Sequence, residues 1–192
     1  FELYTQMLSE EIQKRKAELL GETDEPEQPV NTVMDLGVDA YLPSEYIYDS
    51  VQKIEIYKKV VAAREIGDIE ELLDEMIDRF GEPPKAALNL LAVARMKVRA
   101  CKLGIESIQR RGEEVALKFA PQKESETRLA VLKGLEGMFG GKLKADVAGG
   151  HPVARLFCRG LDEDGVLALV EQFLIQYVEV TKSKGELQDV AP

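Results

Sequence analysis

Residues 105–120, Ile105-Glu-Ser-Ile-Gln-Arg-Arg-Gly-Glu-Glu-Val-Ala-Leu-Lys-Phe-Ala120, decide the fold class. They read as two short strands, Ile105–Gln109 and Val115–Ala120, around the turn Arg110-Arg-Gly-Glu113. A helical pattern follows near Glu124–Phe139. Leu143–Val147 and Val153–Cys158 then flank Ala148-Gly-Gly-His-Pro152, and a last helix runs from about Asp164 to Val178. The order strand-strand-helix occurs twice, although no motif marks the halves as a duplication. This ββαββα layout predicts an α+β fold, an antiparallel sheet with helices on one face.

Upstream the pattern is helical. Ile69, Leu72, Leu73, Met76, Ile77 and Phe80 recur at helical spacing and predict a buried stripe. The capping box Asp68-Ile-Glu-Glu71 opens this helix and Gly81 stops it. Pro83 and Pro84 suit the first turn of a further helix, whose seam is Ala87, Leu91, Ala94, Val98 and Cys101 and which Gly104 closes. Asp49-Ser-Val-Gln52 caps an earlier helix to about Ile66, with Ile54, Tyr57 and Val61 as its packed face. Before it, Thr32–Leu42 alternates. Met34, Leu36, Val38, Ala40 and Leu42 oppose Asp35 and Asp39, the pattern of a half-buried strand. Phe1–Ile12 has helical spacing and, with no initiator Met or cap sequence, reads as a helix continued from a preceding domain. Residues 1–21 are therefore expected to form that helix, 22–31 an acidic mobile loop, 32–182 one domain and 183–192 a tail.

The chain of 192 residues is 45% hydrophobic and 31% charged, which suffices for a real core. No uncharged apolar run of about 18 residues is present and no secretion signal is readable, so no membrane partner and a cytosolic location are expected. Cys101 and Cys158 lie in apolar contexts without C-x-x-C spacing and read as buried thiols. The net charge of -10 is unevenly spread: residues 1–82 carry -13, residues 83–160 carry +8 and residues 161–192 carry -5. Such a chain can face two different partners, or close on itself.

Catalytic chemistry finds little support. A phosphate-binding loop needs G-x-x-x-x-G-K followed by a hydroxyl residue; at Gly140-Gly-Lys142 the next residue is Leu143, so these glycines read as a turn. His151, the one histidine, stands beside Gly149, Gly150 and Pro152 and reads as a turn residue, with no nucleophile motif or zinc spacing to join it. No catalytic, cofactor-binding or metal-binding residue is expected. Arg95, Arg99 and Lys102 at helical spacing, with Arg110 and Arg111 beyond, offer a rival reading as a nucleic-acid-binding stripe, though without aromatic platforms. The outward face of the Asp68–Phe80 helix carries Glu71, Asp74, Glu75, Asp78 and Arg79. One i,i+4 pair, Glu75 with Arg79, contributes only about 0.2–0.5 kcal/mol and leaves so many acids unexplained.

Several motifs point one way together: Phe1-Glu-Leu-Tyr-Thr-Gln-Met-Leu8, Val38-Asp-Ala-Tyr-Leu-Pro43 with Tyr46-Ile47, Lys53-Ile-Glu-Ile-Tyr-Lys58, and Ile77-Asp-Arg-Phe-Gly81 with Pro84. Leu90-Leu-Ala-Val-Ala-Arg95, leading to Lys102-Leu-Gly-Ile105, extends them. Over about residues 1–105 the chain resembles the C-terminal domain of the bacterial transcription-repair coupling factors, the family of DNA translocases called Mfd. The resemblance implies a non-catalytic regulatory domain with no cofactor of its own. In the family, ATP-hydrolysing motor domains push on RNA polymerase stalled on damaged DNA. A further module recruits the excision-repair damage sensor, and the C-terminal domain masks that module until the motor engages. The positions the family uses for this contact match Glu75, Asp78 and Arg79, with Met76 where leucine is usual.

Overall fold

The computed structural model describes residues 30–121 and 125–183. The expected N-terminal helix, most of the acidic loop and the tail beyond Ser183 lie outside them. The described chain orders as β1 (Val33–Asp35), α1 (Ser50–Ala62), α2 (Ile66–Phe80), α3 (Lys85–Lys102), β2 (Ile105–Arg111), β3 (Glu114–Phe119), α4 (Ser125–Glu136), β4 (Leu143–Ala148), β5 (His151–Phe157) and α5 (Glu163–Ser183). A 3-10 turn, Gly137–Phe139, extends α4.

The strands form one five-stranded sheet in the order β1-β2-β3-β5-β4. Four strands are antiparallel neighbours, whereas β1 joins β2 in parallel, so the sheet is mixed rather than wholly antiparallel. Ile108, Leu117, Ala154 and Ala145 line up across β2, β3, β5 and β4 and face the helices. There they meet Val131, Leu132 and Leu135 of α4, Val166, Val170 and Phe173 of α5, Met96 and Ala100 of α3, and Leu103 just past its end. The opposite face is polar. Arg155 on β5 bonds Asp146 of β4 and Glu114 of β3, tying three strands together. At the free edge of β4, the Ala145 N–H donates to the Glu136 carboxylate at 2.6 Å and the Val147 N–H to Asp146 at 2.8 Å. Side chains thus occupy donors that a further strand would need.

A second core holds Leu42, Ile47, Ile56, Ile69, Leu72 and Met76. Helix α3 belongs to both cores: Ala87, Leu91 and Ala94 serve this one, Met96 and Ala100 the sheet's. Gly104, at φ +70°, turns the chain from α3 into β2 in a conformation that glycine enters without a Cβ penalty. The Arg128 guanidinium lies there too, donating to the Leu103 carbonyl at 2.9 Å.

Several expectations need correction. The Thr32–Leu42 alternation is real in burial, but only Val33–Asp35 pairs with the sheet. Gly37 turns at φ +62° with its N–H on Asp35. Beyond it the backbone bonds elsewhere: Tyr41 N–H donates to the Ala86 carbonyl, Leu42 N–H to the Tyr57 hydroxyl, and the Asn89 side chain to the Asp39 carbonyl. Leu36 and Leu42 enter different cores, so the segment bridges the two. Asp49 caps α1 as expected, its carboxylate accepting from Val51 N–H at 2.7 Å, but the packed face differs. Ile56 is fully buried, while Ile54 is 55% and Val61 71% exposed. Asp68 is not the first cap of α2 but lies inside its first turn, accepting the N–H groups of Arg64 and Glu65 from there. Ile77 stands 37% exposed at the margin of the stripe. His151 opens β5 instead of sitting in the turn, which Gly149 and Gly150 make at φ +60° and +83°.

Candidate functional site

The surface that sequence singled out lies where α1 meets α2. With Ile69, Leu72 and Met76 turned inward, helical geometry puts Glu71, Asp74 and Asp78 on the outward ridge and swings Glu75 and Arg79 toward α1. The Tyr46 hydroxyl donates to the carbonyls of Gly81 at 2.8 Å and Met76 at 3.2 Å, which fixes the C-terminal end of α2.

Glu75 and Arg79 are engaged. The Lys59 ammonium of α1 bonds both Glu75 carboxylate oxygens at 2.7 Å, and Arg79 reaches Glu75 at 2.5 Å. Arg79 also reaches both Glu55 oxygens at 3.2 and 3.3 Å, and Lys59 stands 3.2 Å from Glu55. The Arg79 guanidinium lies 4.9 Å from the centroid of the Phe80 ring. Glu55–Lys59–Glu75–Arg79 is therefore a closed four-member clasp between two helices. Bonds from Lys59 and Arg79 hold Glu75 below the usual carboxylate range, and bonds from Arg79 and Lys59 do the same for Glu55. Glu75 in turn raises Lys59. Asp78 stands exposed on the ridge outside the clasp. Between the helices lies an open groove of about 440 Å³, lined by Lys59, Ala62, Ala63, Asp68, Glu71, Leu72 and Glu75.

The lowered carboxylates set the sign of a pH effect. A carboxylate stabilised as the anion in the folded state contributes fully above its ordinary value of about 4.3, and the contribution disappears as pH falls through the lowered value. Thermal unfolding of the wild-type chain should lose stability as pH falls below about 5, and a Glu55→Gln/Glu75→Gln variant should fall less steeply there. Equal slopes would remove the clasp as a stabilising element.

Sequence reasoning passed over Glu55 and Lys59 as site residues. Their i,i+4 spacing was the available signal, but which helix would face α2 was not readable from it.

Of the rival basic residues, Arg95, Arg99 and Lys102 stand on α3 and Arg110 and Arg111 at the end of β2. Arg99 bonds Glu171 of α5 at 3.2 Å and Lys102 bonds Glu65. Arg110, at the far end of β2, turns back to the Gly112 carbonyl at 3.2 Å. Arg95 is half-buried and Arg111 exposed. Arg99 and Lys102 thus answer acidic segments of the same chain, as Lys85 does with Asp164 at 2.8 Å. His151 places Nδ1 3.0 Å from the Phe119 carbonyl and 3.7 Å from Glu106. Among the described residues no group of three or more metal-type ligands is assembled, and no helix is long and apolar enough to cross a membrane.

A family model described as the TRCF domain matches residues 36–129, a stretch that includes both helices of the clasp. The transcription-repair-coupling factor of Bacillus subtilis (strain 168) is 42% identical over 126 residues, which is 66% of this chain and 10% of that protein. Its counterpart in Staphylococcus aureus (strain USA300) is 40% identical over 113 residues, 59% of this chain and 9% of that protein. The chain therefore spans about a tenth of the length of the curated relatives it matches. A crystal structure of the C-terminal domain of transcription-repair coupling factor superposes with a TM-score of 0.64 at 28% identity, covering 80% of this chain and 96% of that one.

Proposed function

The chain belongs to the TRCF domain family, as the C-terminal domain of a transcription-repair coupling factor, and from that premise we propose that it is a regulatory docking domain without catalysis of its own. In this reading the whole polypeptide is a cytoplasmic ATP-driven DNA translocase, a hydrolase of helicase type. It engages RNA polymerase stalled on damaged DNA and brings in the excision-repair damage sensor. The domain covers the module that recruits the sensor and withdraws when the motor domains act.

The observation that carries the proposal is the form of α2: six acids and one base on one helix, its outward ridge Glu71, Asp74 and Asp78 set on a helix that the clasp holds against α1. A fixed acidic ridge suits a basic partner surface. Contacts between exposed charges give specificity and fast association at modest affinity, and salt weakens them, which fits a cover that must come off. The partner contact comprises Glu75, Asp78 and Arg79, with Glu75 and Arg79 also serving the clasp.

The test is binding of the damage sensor to the full-length polypeptide. Alanine at Glu75, Asp78 and Arg79 together should raise that binding by about tenfold or more, corresponding to roughly 1.4 kcal/mol of lost masking. Asp78→Lys, which leaves the clasp intact, should raise it as well. Binding at the wild-type level in both variants would sink the proposal. The reading of Arg95, Arg99, Lys102, Arg110 and Arg111 as a nucleic-acid surface requires the chain to bind duplex DNA at low salt with a steep loss on adding salt. The internal pairing of Arg99 and Lys102 supports the docking role instead.

A further inference from the structure

Helix α1 is apolar on two sides. Inward, Ile56 with Tyr57 and Val60 packs into the helical core. Outward, Val51, Ile54 and Val61 stand at i, i+3 and i+10 along one line of the helix, and Tyr48 lies just before its cap. Their exposures are 75%, 55% and 71%, with Tyr48 at 93%. A single exposed apolar side chain is ordinary, but an aligned set is the mark of a surface that is covered in use. Lys58 falls on the same line, where its stem can lie along an apolar partner while its ammonium stays in water.

We infer that this stripe is a second docking surface, the apolar half of the contact whose charged half is the α2 ridge. Its occupant is a patch of the longer polypeptide that is apolar at its centre and basic at its edge. The inference rests on the docking role proposed above.

Two observations select that occupant. First, the stripe and the ridge are sides of one relief. Ala62, next to Val61, lines the same groove as Glu71 and Glu75, so a body resting on the ridge overlies α1 as well. Second, the curated relatives carry about nine tenths of their length outside the matched stretch, which supplies the partner within the same polypeptide. The acids of α2 require that partner's rim to be basic. Interfaces of measurable affinity combine an apolar, well-packed centre with a polar rim. The ridge alone is all rim, and the stripe supplies the missing centre.

The experiment compares two variants of the full-length polypeptide by their binding of the damage sensor. One is Val51→Ser/Ile54→Ser/Val61→Ser; the other is Asp74→Lys/Asp78→Lys. All five positions are exposed, so unfolding temperatures should stay near wild type, and circular dichroism verifies this before binding is read. The expected result is about tenfold or greater gain in sensor binding for both variants. A gain for the ridge variant alone overturns the stripe as a docking surface and leaves the docking role standing. Wild-type binding in both overturns both. Sedimentation of the 192-residue chain decides the remaining alternative. A dimer in the wild type that is lost on changing the stripe to serine would make a second copy the occupant, and would overturn the inference.

Discussion

Phe173→Ala is expected to destabilise the domain by about 3–5 kcal/mol, the range for removing an enclosed aromatic side chain. Phe173 is 0% exposed, and its ring lies 6.1 Å from that of Phe139 and 6.0 Å from that of Tyr177. These rings join α5 to the end of α4, and Val131, Leu132 and the sheet residues close the same cluster. The loss has two parts: burial free energy of the missing atoms, and a cavity that rigid neighbours cannot collapse to fill. Against a typical total stability of 5–15 kcal/mol, such a change approaches the threshold of folding at physiological temperature. Chemical denaturation should show a lower midpoint with an unchanged slope, and the melting temperature should fall by roughly 6–20 °C at this chain length. A loss below about 1 kcal/mol would mean that the ring is not enclosed as described.

The second large effect separates two isoleucines on one helix. Ile56→Ala should cost about 2–5 kcal/mol, because Ile56 is 0% exposed among Ile69, Leu72 and Leu91 of the helical core. Ile54→Ala should stay within about 0.5 kcal/mol, as surface changes away from special features do. The pair differs by two positions, or about 200° around the helix, so the contrast measures the rotation of α1 directly. Equal costs would show the helix turned so that the Ile54 side faces the core, and the apolar stripe on its outer surface would vanish with that rotation.

That rotation is also where sequence reading stopped. The run Ile54-Glu-Ile-Tyr-Lys-Lys-Val-Val-Ala-Ala63 supports two helical stripes of similar quality, Ile54/Tyr57/Val61 and Ile56/Val60/Ala63. Periodicity detects an apolar line but cannot say whether the core or a partner covers it. Features written in local backbone chemistry were legible: the Asp49 cap, the Gly81 stop, the Gly104 turn and the hairpin glycines Gly149 and Gly150. The α+β class followed from them and from the order of elements. The strand assigned to Thr32–Leu42 ran too long because its alternation reflects insertion between two cores, and hydrogen bonding to a neighbouring strand leaves the same mark. The clasp was legible by half. Glu75 and Arg79 share a helix, but Glu55 and Lys59 reach them from another one, and charge pairing between elements has no period to read.

Helix α3 has a consequence for how the domain answers force. Its first half is wedged into one core and its second half into the other, with Ala94 and Met96 only two positions apart at the handover. Neither core can open without stripping apolar cover from this common beam. A pull on α1 and α2 is therefore resisted by the sheet as well. In the docking role proposed above, such a domain would lift off its partner as an intact plate, with detachment at the charged rim costing less than breakage within.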